Sequence, residues 1–67
     1  LSNRQALSDR EREVLKLVAL GHTSAEIGDA LNLSTLTVST HLRNIYRKLQ
    51  VKSRAQAVSL AAHQRLI

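Results

Sequence analysis

Apolar residues return every three to four positions through most of this chain, and polar capping residues cut the pattern into four segments. The first segment runs over about 9–20. Val14, Leu15, Val18 and Ala19 form its stripe, and Leu17 and Leu20 widen it. Ser8 and Glu11 stand three apart and predict a capping box, in which each side chain serves a backbone amide of the other's turn. Asp9 adds negative charge at the positive end of the helix dipole. Gly21 suits the left-handed residue that ends a helix. The second segment, about 24–31, opens on a second such pair, Thr23 and Glu26, and carries Ile27, Ala30 and Leu31 at helical spacing. The third, about 35–49, follows Ser34 as N-cap. At about 100° per residue, Val38, Leu42, Ile45 and Leu49 fall within about 60° of one another and form its buried stripe. Leu36, Thr40, Arg43 and Arg47 lie opposite, flanked by Ser39 and Asn44. The fourth begins at Ser53, paired with Gln56 in a third box, and reaches about His63, with Ala57, Val58, Ala61 and Ala62 on its apolar side. Residues 1–7 show no sustained period. They read as a linker end whose Leu7 packs onto a domain spanning 8–67.

Composition turns four helical segments into an all-α domain. The chain has 67 residues, two glycines and no proline, which suits helices with short connections. It contains no cysteine, so Leu, Val, Ile and Ala must build the core without a disulfide or a thiolate metal site. A chain of this size buries only roughly 60% of its unfolded surface. No apolar run approaches the ~20 residues that span a bilayer, and no signal-peptide pattern opens the sequence. A cytoplasmic setting fits those absences. The chain starts at Leu1 without a methionine, and it is expected to be a piece or a processed form of something longer.

The net charge of +5 is unevenly placed. All five acids, Asp9, Glu11, Glu13, Glu26 and Asp29, lie before residue 30. The second half holds Arg43, Arg47, Lys48, Lys52, Arg54 and Arg65 against no acid at all. Segregation of this kind favours a polyanionic partner for the second half.

Only Asn32, Leu33 and Ser34 join the second segment to the third. Asn32 tolerates a left-handed backbone, and Leu33 tucks inward. Two helices on a three-residue turn, the second with small polar and cationic groups outward, make a helix-turn-helix pattern. The first helix must be short and small-surfaced so that the second can cross it, a need that Gly28 and Ala25 answer. The second must keep its back in the core and offer its N-terminal half to a major groove wide enough for one helix. Small residues early in it let the backbone approach base edges, and longer cations reach guanines and phosphates. Ser39, Thr40 and Arg43 fit that arrangement. The plain alternative is a helical bundle whose basic face is merely solvated.

Residues 7–58 resemble a LuxR-type helix-turn-helix domain, and more narrowly the C-terminal output domain of NarL-type two-component response regulators. The likeness rests on "REREVL", "G-x-T-S-A-E-I", "L-x-L-S-x-x-T-V-x-x-H", "N-I-Y-R-K-L" and "V-K-S-R-A-Q-A". It implies a four-helix fold, sequence-specific binding of double-stranded DNA, and a homodimer formed on the DNA through the fourth helix, with Ala55, Ser59 and Ala62 as the facing residues. It also implies an N-terminal receiver or sensor domain in the full-length protein, with RNA polymerase as a possible further partner. An autoinducer-responsive quorum-sensing regulator carries a similar output module and stays open as an alternative. Ser39 departs from the family, which usually has a lysine there. Thr40 occupies a variable position, able to meet a thymine methyl or to exchange hydrogen bonds. Arg43 matches a position that often contacts bases, and arginine can bridge guanine O6 and N7; contact with phosphate alone is the alternative. Leu36 is unusual as an outward residue and can give apolar contact to a sugar or base. Thr37 either helps the helix N-terminus hold a phosphate or is an ordinary first-turn residue. Arg47, Lys48, Lys52 and Arg54 are the remaining phosphate candidates. His41, also histidine in the family, sits at the border of the buried stripe, in packing first and phosphate contact second.

Other classes fit less well. His22, His41 and His63 are too scattered for a metal site, and no Cys or carboxylate cluster joins them. No cofactor is expected. Each serine with a partner is a cap rather than a nucleophile, and no glycine-rich phosphate loop exists, so no enzyme is expected. A membrane-surface or protein-binding helical module remains the alternative of a different kind, but such helices leave a wide aromatic-rich face uncovered. Tyr46 is the one aromatic residue, too few for the stacking platforms of RNA binding.

Overall fold

The computed structural model describes residues 6–64. Within them the chain is all-α, with α1 at Asp9–Ala19, α2 at Ser24–Leu31, α3 at Thr35–Leu49 and α4 at Arg54–His63. The linker end foreseen for residues 1–7 falls mostly on 1–5, outside the described residues, as do 65–67.

Each start is set by its capping residue. The Ser8 hydroxyl accepts from the Glu11 amide at 3.1 Å, and the Glu11 carboxylate accepts from the Ser8 amide at 2.8 Å. Thr23 and Glu26 repeat the exchange at 3.1 and 2.9 Å. At α4 the third box forms by half. Ser53 Oγ takes the Gln56 amide at 3.1 Å, but the Gln56 side chain reaches one residue further back, to the Lys52 amide at 2.8 Å. The first three helices end on left-handed or glycine residues: Gly21 at φ 95° beyond α1, Asn32 at φ 60° after α2 and Gln50 at φ 57° after α3.

The core gathers Leu7, Val14, Leu15 and Val18 with Ile27, and then Val38, Ile45, Leu49, Ala57 and Ala61. α3 packs against all three other helices, and α1 does the same. Leu42 is only partly buried on this face. Full burial of side chains such as Val38 and Ile45 stabilises by about 1.5–3 kcal/mol each.

Several expected core positions point outward instead. Leu20 is 67% exposed, because the helix ends at Ala19 and Leu20 becomes the capping residue. Ala30 and Ala62 are exposed, since the stripes of the two short helices are narrower than their alanines suggested. Ala25 is exposed too, so it does not ease a helix crossing. Gly28 is needed for a different reason. A Cβ there would lie 2.5 Å from the Leu33 carbonyl oxygen, so the turn backbone itself fills the space of a side chain. The Leu33 amide donates to the Gly28 carbonyl at 2.8 Å across that approach.

One ion pair ties the first helix to the third. Lys48 Nζ donates to Glu11 Oε1 at 2.7 Å, with the two side chains 19% and 6% exposed. Lys48 also donates to the Ala6 carbonyl at 3.4 Å. Burial pushes the Glu11 carboxyl up, but the Lys48 hydrogen bond, the Ser8 amide and the Lys48 charge together hold it below its ordinary 4.5. A carboxylate held low stabilises the fold above that ordinary value, and the contribution is lost as pH falls through the folded-state pKa. Glu11→Gln should therefore cost about 1–3 kcal/mol at pH 7. Urea melts of both proteins should show the gap narrowing below pH 4.5; a constant gap down to pH 3 would contradict the pairing.

Candidate nucleic-acid interface

The outward side of α3 is set by its inward side. With Val38, Ile45 and Leu49 buried, residues about 180° away must face water. Leu36, Thr40, Arg43 and Arg47 make that stripe, within about 60° of one another, and all four are exposed. Ser39, also exposed, stands beside it. Among the described residues, Arg43, Arg47 and Lys52 make no ion pair or hydrogen bond through their side chains, so their charge is directed wholly to solvent. No acid lies in α3, and its last turn carries Arg47 and Lys48.

The N-terminus of α3 differs from the two before it. α1 and α2 each place a glutamate over their first amides, whereas α3 has no acid in its first turn. Ser34 Oγ accepts from the Thr37 amide at 3.1 Å and donates to Thr37 Oγ1 at 2.9 Å. The Thr37 hydroxyl proton is left free to donate outward. Uncompensated amides, a helix dipole and a free hydroxyl together favour an anion. Thr40 is arranged differently: its hydroxyl donates back to the Leu36 carbonyl at 3.1 Å.

Two of the expected phosphate residues are used otherwise. Lys48 stands about 100° round the helix from Arg47, and its ammonium donates to Glu11 and to the Ala6 carbonyl. Arg54 donates from its guanidinium to the His22 carbonyl and so fastens the start of α4 to the loop between α1 and α2. Both are half-buried cations with a partner inside the fold. Lys52 stays exposed at the turn before α4. His41 is half-buried at the border of the stripe, as its angle predicted. His22 Nδ1 lies 3.5 Å from Glu26 Oε1 on the surface of α2. The Thr23 amide, burial and His22 act on the Glu26 carboxyl, and the hydrogen bonds win, holding it low.

The expected pairing residues Ala55, Ser59 and Ala62 are all exposed along one side of α4. Ala55 and Ser59 border an open groove shared with Val51, Leu60 and His63. Among the described residues no group of three His, Cys, Asp or Glu is placed to hold a metal ion. No described helix is long and apolar enough to cross a membrane.

The sequence family described as bacterial regulatory proteins, luxR family, matches residues 5–61. The chain belongs to that family. Its LuxR-type helices are shared with the response regulator ChrA of a heme-sensing two-component system, whose crystal structure superposes with a TM-score of 0.91 at 44% identity, covering 98% of this chain and 33% of that one. YhjB of Escherichia coli (strain K12), named as a candidate HTH-type transcriptional regulator, is 50% identical over 56 residues, which make up 84% of this chain and 28% of YhjB. The response regulator protein VraR of Staphylococcus aureus (strain NCTC 8325 / PS 47) is 43% identical over 63 residues, 94% of this chain and 30% of VraR. The LuxR-type chain thus spans about a third of the length of these relatives, and it matches the helix-turn-helix portion they share.

Proposed function

We propose that this domain binds double-stranded DNA in a sequence-specific way, as the output domain of a bacterial transcriptional regulator of the two-component type. The observation that carries this reading is the acid-free, exposed stripe of α3, with Arg43 and Arg47 unpaired in it. In this reading α3 enters the major groove. Ser39, Thr40 and Arg43 face base edges, with Arg43 positioned to bridge a guanine. Thr37 and the first amides of α3 hold one phosphate, and Arg47 and Lys52 hold others. Lys48 and Arg54 act through the fold instead. The names of VraR and ChrA as response regulators support an N-terminal receiver domain in the full-length protein and a cytoplasmic place of action. Residues 1–7 would then join that domain to the helices from 8 onward. RNA polymerase is a further partner of the whole regulator. The function is binding rather than catalysis.

The domain pairs on DNA through Ala55, Ser59 and Ala62 of α4. That face is small, well under the roughly 800 Å² per partner of a stable complex, so the isolated domain should sediment as a monomer and pair only on a two-half-site duplex. A stable DNA-free dimer would contradict this.

Selection of bound sequences from a random duplex pool tests the reading as a whole; recovery of no preferred duplex would overturn it. On the selected site Arg43→Ala should lose about 1–3 kcal/mol, with a smaller loss on random duplex. Equal losses on both would reassign Arg43 to phosphate. Arg47→Ala should flatten the dependence of log affinity on log salt by about one unit. Lys48→Met should leave that slope unchanged and lower the melting temperature, which separates the internal cation from the surface one.

A further inference from the structure

Leu36 is 78% exposed on the second position of α3, at the N-terminal end of a stripe otherwise polar or cationic. Burying a leucine is worth about 1.5–3 kcal/mol, and the fold leaves that contribution unused here. The side chain nearest along the stripe is Thr40, one turn on. Its hydroxyl is held by the Leu36 carbonyl at 3.1 Å, which satisfies the donor and fixes the rotamer of the β-branched side chain. What Thr40 brings to an incoming surface is therefore its methyl group, in a defined place. Ser39 on the adjoining line is short, so no long side chain there holds the helix away from its target. Arg43 and Arg47 continue the same stripe and supply the attraction that brings the helix in.

In the major groove the one apolar group on a base edge is the C5 methyl of thymine. Resting on the DNA-binding reading above, we propose that Leu36 and the Thr40 methyl form an apolar clamp that selects thymine by its C5 methyl, ahead of the guanine contact of Arg43. The two residues are about 6 Å apart along the helix, enough to address two successive base steps of about 3.4 Å. The pair gives this chain a specificity that depends on shape and apolar contact where a lysine at position 39 would add charge.

The test uses the duplex recovered from the random pool. Each thymine of a half-site is replaced in turn by deoxyuracil, which keeps the pairing edge and the O4 acceptor but lacks the methyl. The unaltered domain should lose about fourfold in affinity at one or two adjacent positions, the worth of one buried methyl-sized group. Leu36→Ala and Thr40→Ser should each bind the thymine and uracil duplexes equally at the position they contact. Thr40→Val, which keeps a methyl and drops the hydroxyl, should retain the preference for thymine. Both residues are exposed, and circular dichroism melts of the variants should match the parent. Equal binding of thymine and uracil duplexes by the parent domain, or full discrimination in both Leu36→Ala and Thr40→Ser, would overturn the clamp while leaving DNA binding intact. A pool that yields no preferred duplex would overturn both.

Discussion

A small domain that must keep one whole face of its longest helix in water can hold that helix only by the other face. α3 meets this constraint with Val38, Ile45 and Leu49, which sink between α1, α2 and α4. Apolar burial is strong but non-directional. It fixes which side of α3 is inside better than it fixes the rotation and tilt of the helix. The directional element is the Lys48–Glu11 pair, at 2.7 Å on the flank between the two faces. Glu11 is itself held by the Ser8 amide, so the position of α3 is referred to the N-terminus of α1 through a chain of two hydrogen bonds. Arg54 makes the equivalent tie for α4 by holding the His22 carbonyl. Two cations that look like surface charge therefore set the geometry by which the remaining ones are displayed.

The helices themselves were legible in the sequence to within a residue, because each start carries a side chain that can take an amide and the first three stops a residue in a left-handed or glycine backbone. Ser8, Thr23, Ser34 and Ser53 did more to define the elements than the apolar pattern. The exposed stripe was also legible, since the angle of each α3 residue follows from its distance to Val38. The use of Lys48 was readable in principle by the same arithmetic: it lies about 100° from Arg47 and so off the stripe. Its partner was not. Glu11 sits 37 positions away, and only the fold brings an acid of α1 beside the end of α3. Arg54 and His22 fail in the same way, because a backbone carbonyl leaves no trace in residue type. Gly28 was flagged, but for a helix crossing; the true cause, the Leu33 carbonyl, is a matter of turn geometry. Leu20, Ala30 and Ala62 misled because alanine and leucine serve helix propensity as well as burial.

The charge segregation follows a related logic. Glu11 and Glu26 serve as caps, Glu11 is also the counter-charge for Lys48, and Asp9 and Glu13 pair with Arg12 and Arg10 on α1 itself. α3 and the segment after it need no acid for folding, since Ser34 and Ser53 do the capping. Any acid on α3 would weaken the potential of its exposed face at about one Debye length or less. Capping by serine instead of a serine–glutamate box costs α3 one hydrogen bond at its start, and it keeps those amides electropositive. The same choice that slightly weakens the helix makes its N-terminus suited to an anion.

Family membership and the α3 stripe together bear on why such a domain would work in pairs. A 60° stripe on one helix offers about four side chains to a groove, enough to address only a few base pairs. Each well-made contact discriminates by about 1–3 kcal/mol. A genome presents roughly 10⁶–10⁹ competing sites, which four side chains cannot resolve alone. On the proposed reading, pairing through α4 would double the surface offered to DNA and square the discrimination without enlarging the domain. A weak α4 interface would suit that use, because pairing that is marginal in solution becomes favourable once two half-sites hold the domains at high effective concentration. Small exposed residues such as Ala55, Ser59 and Ala62 are what such an interface needs: close approach, little apolar area, and no cost to solubility when the partner is absent.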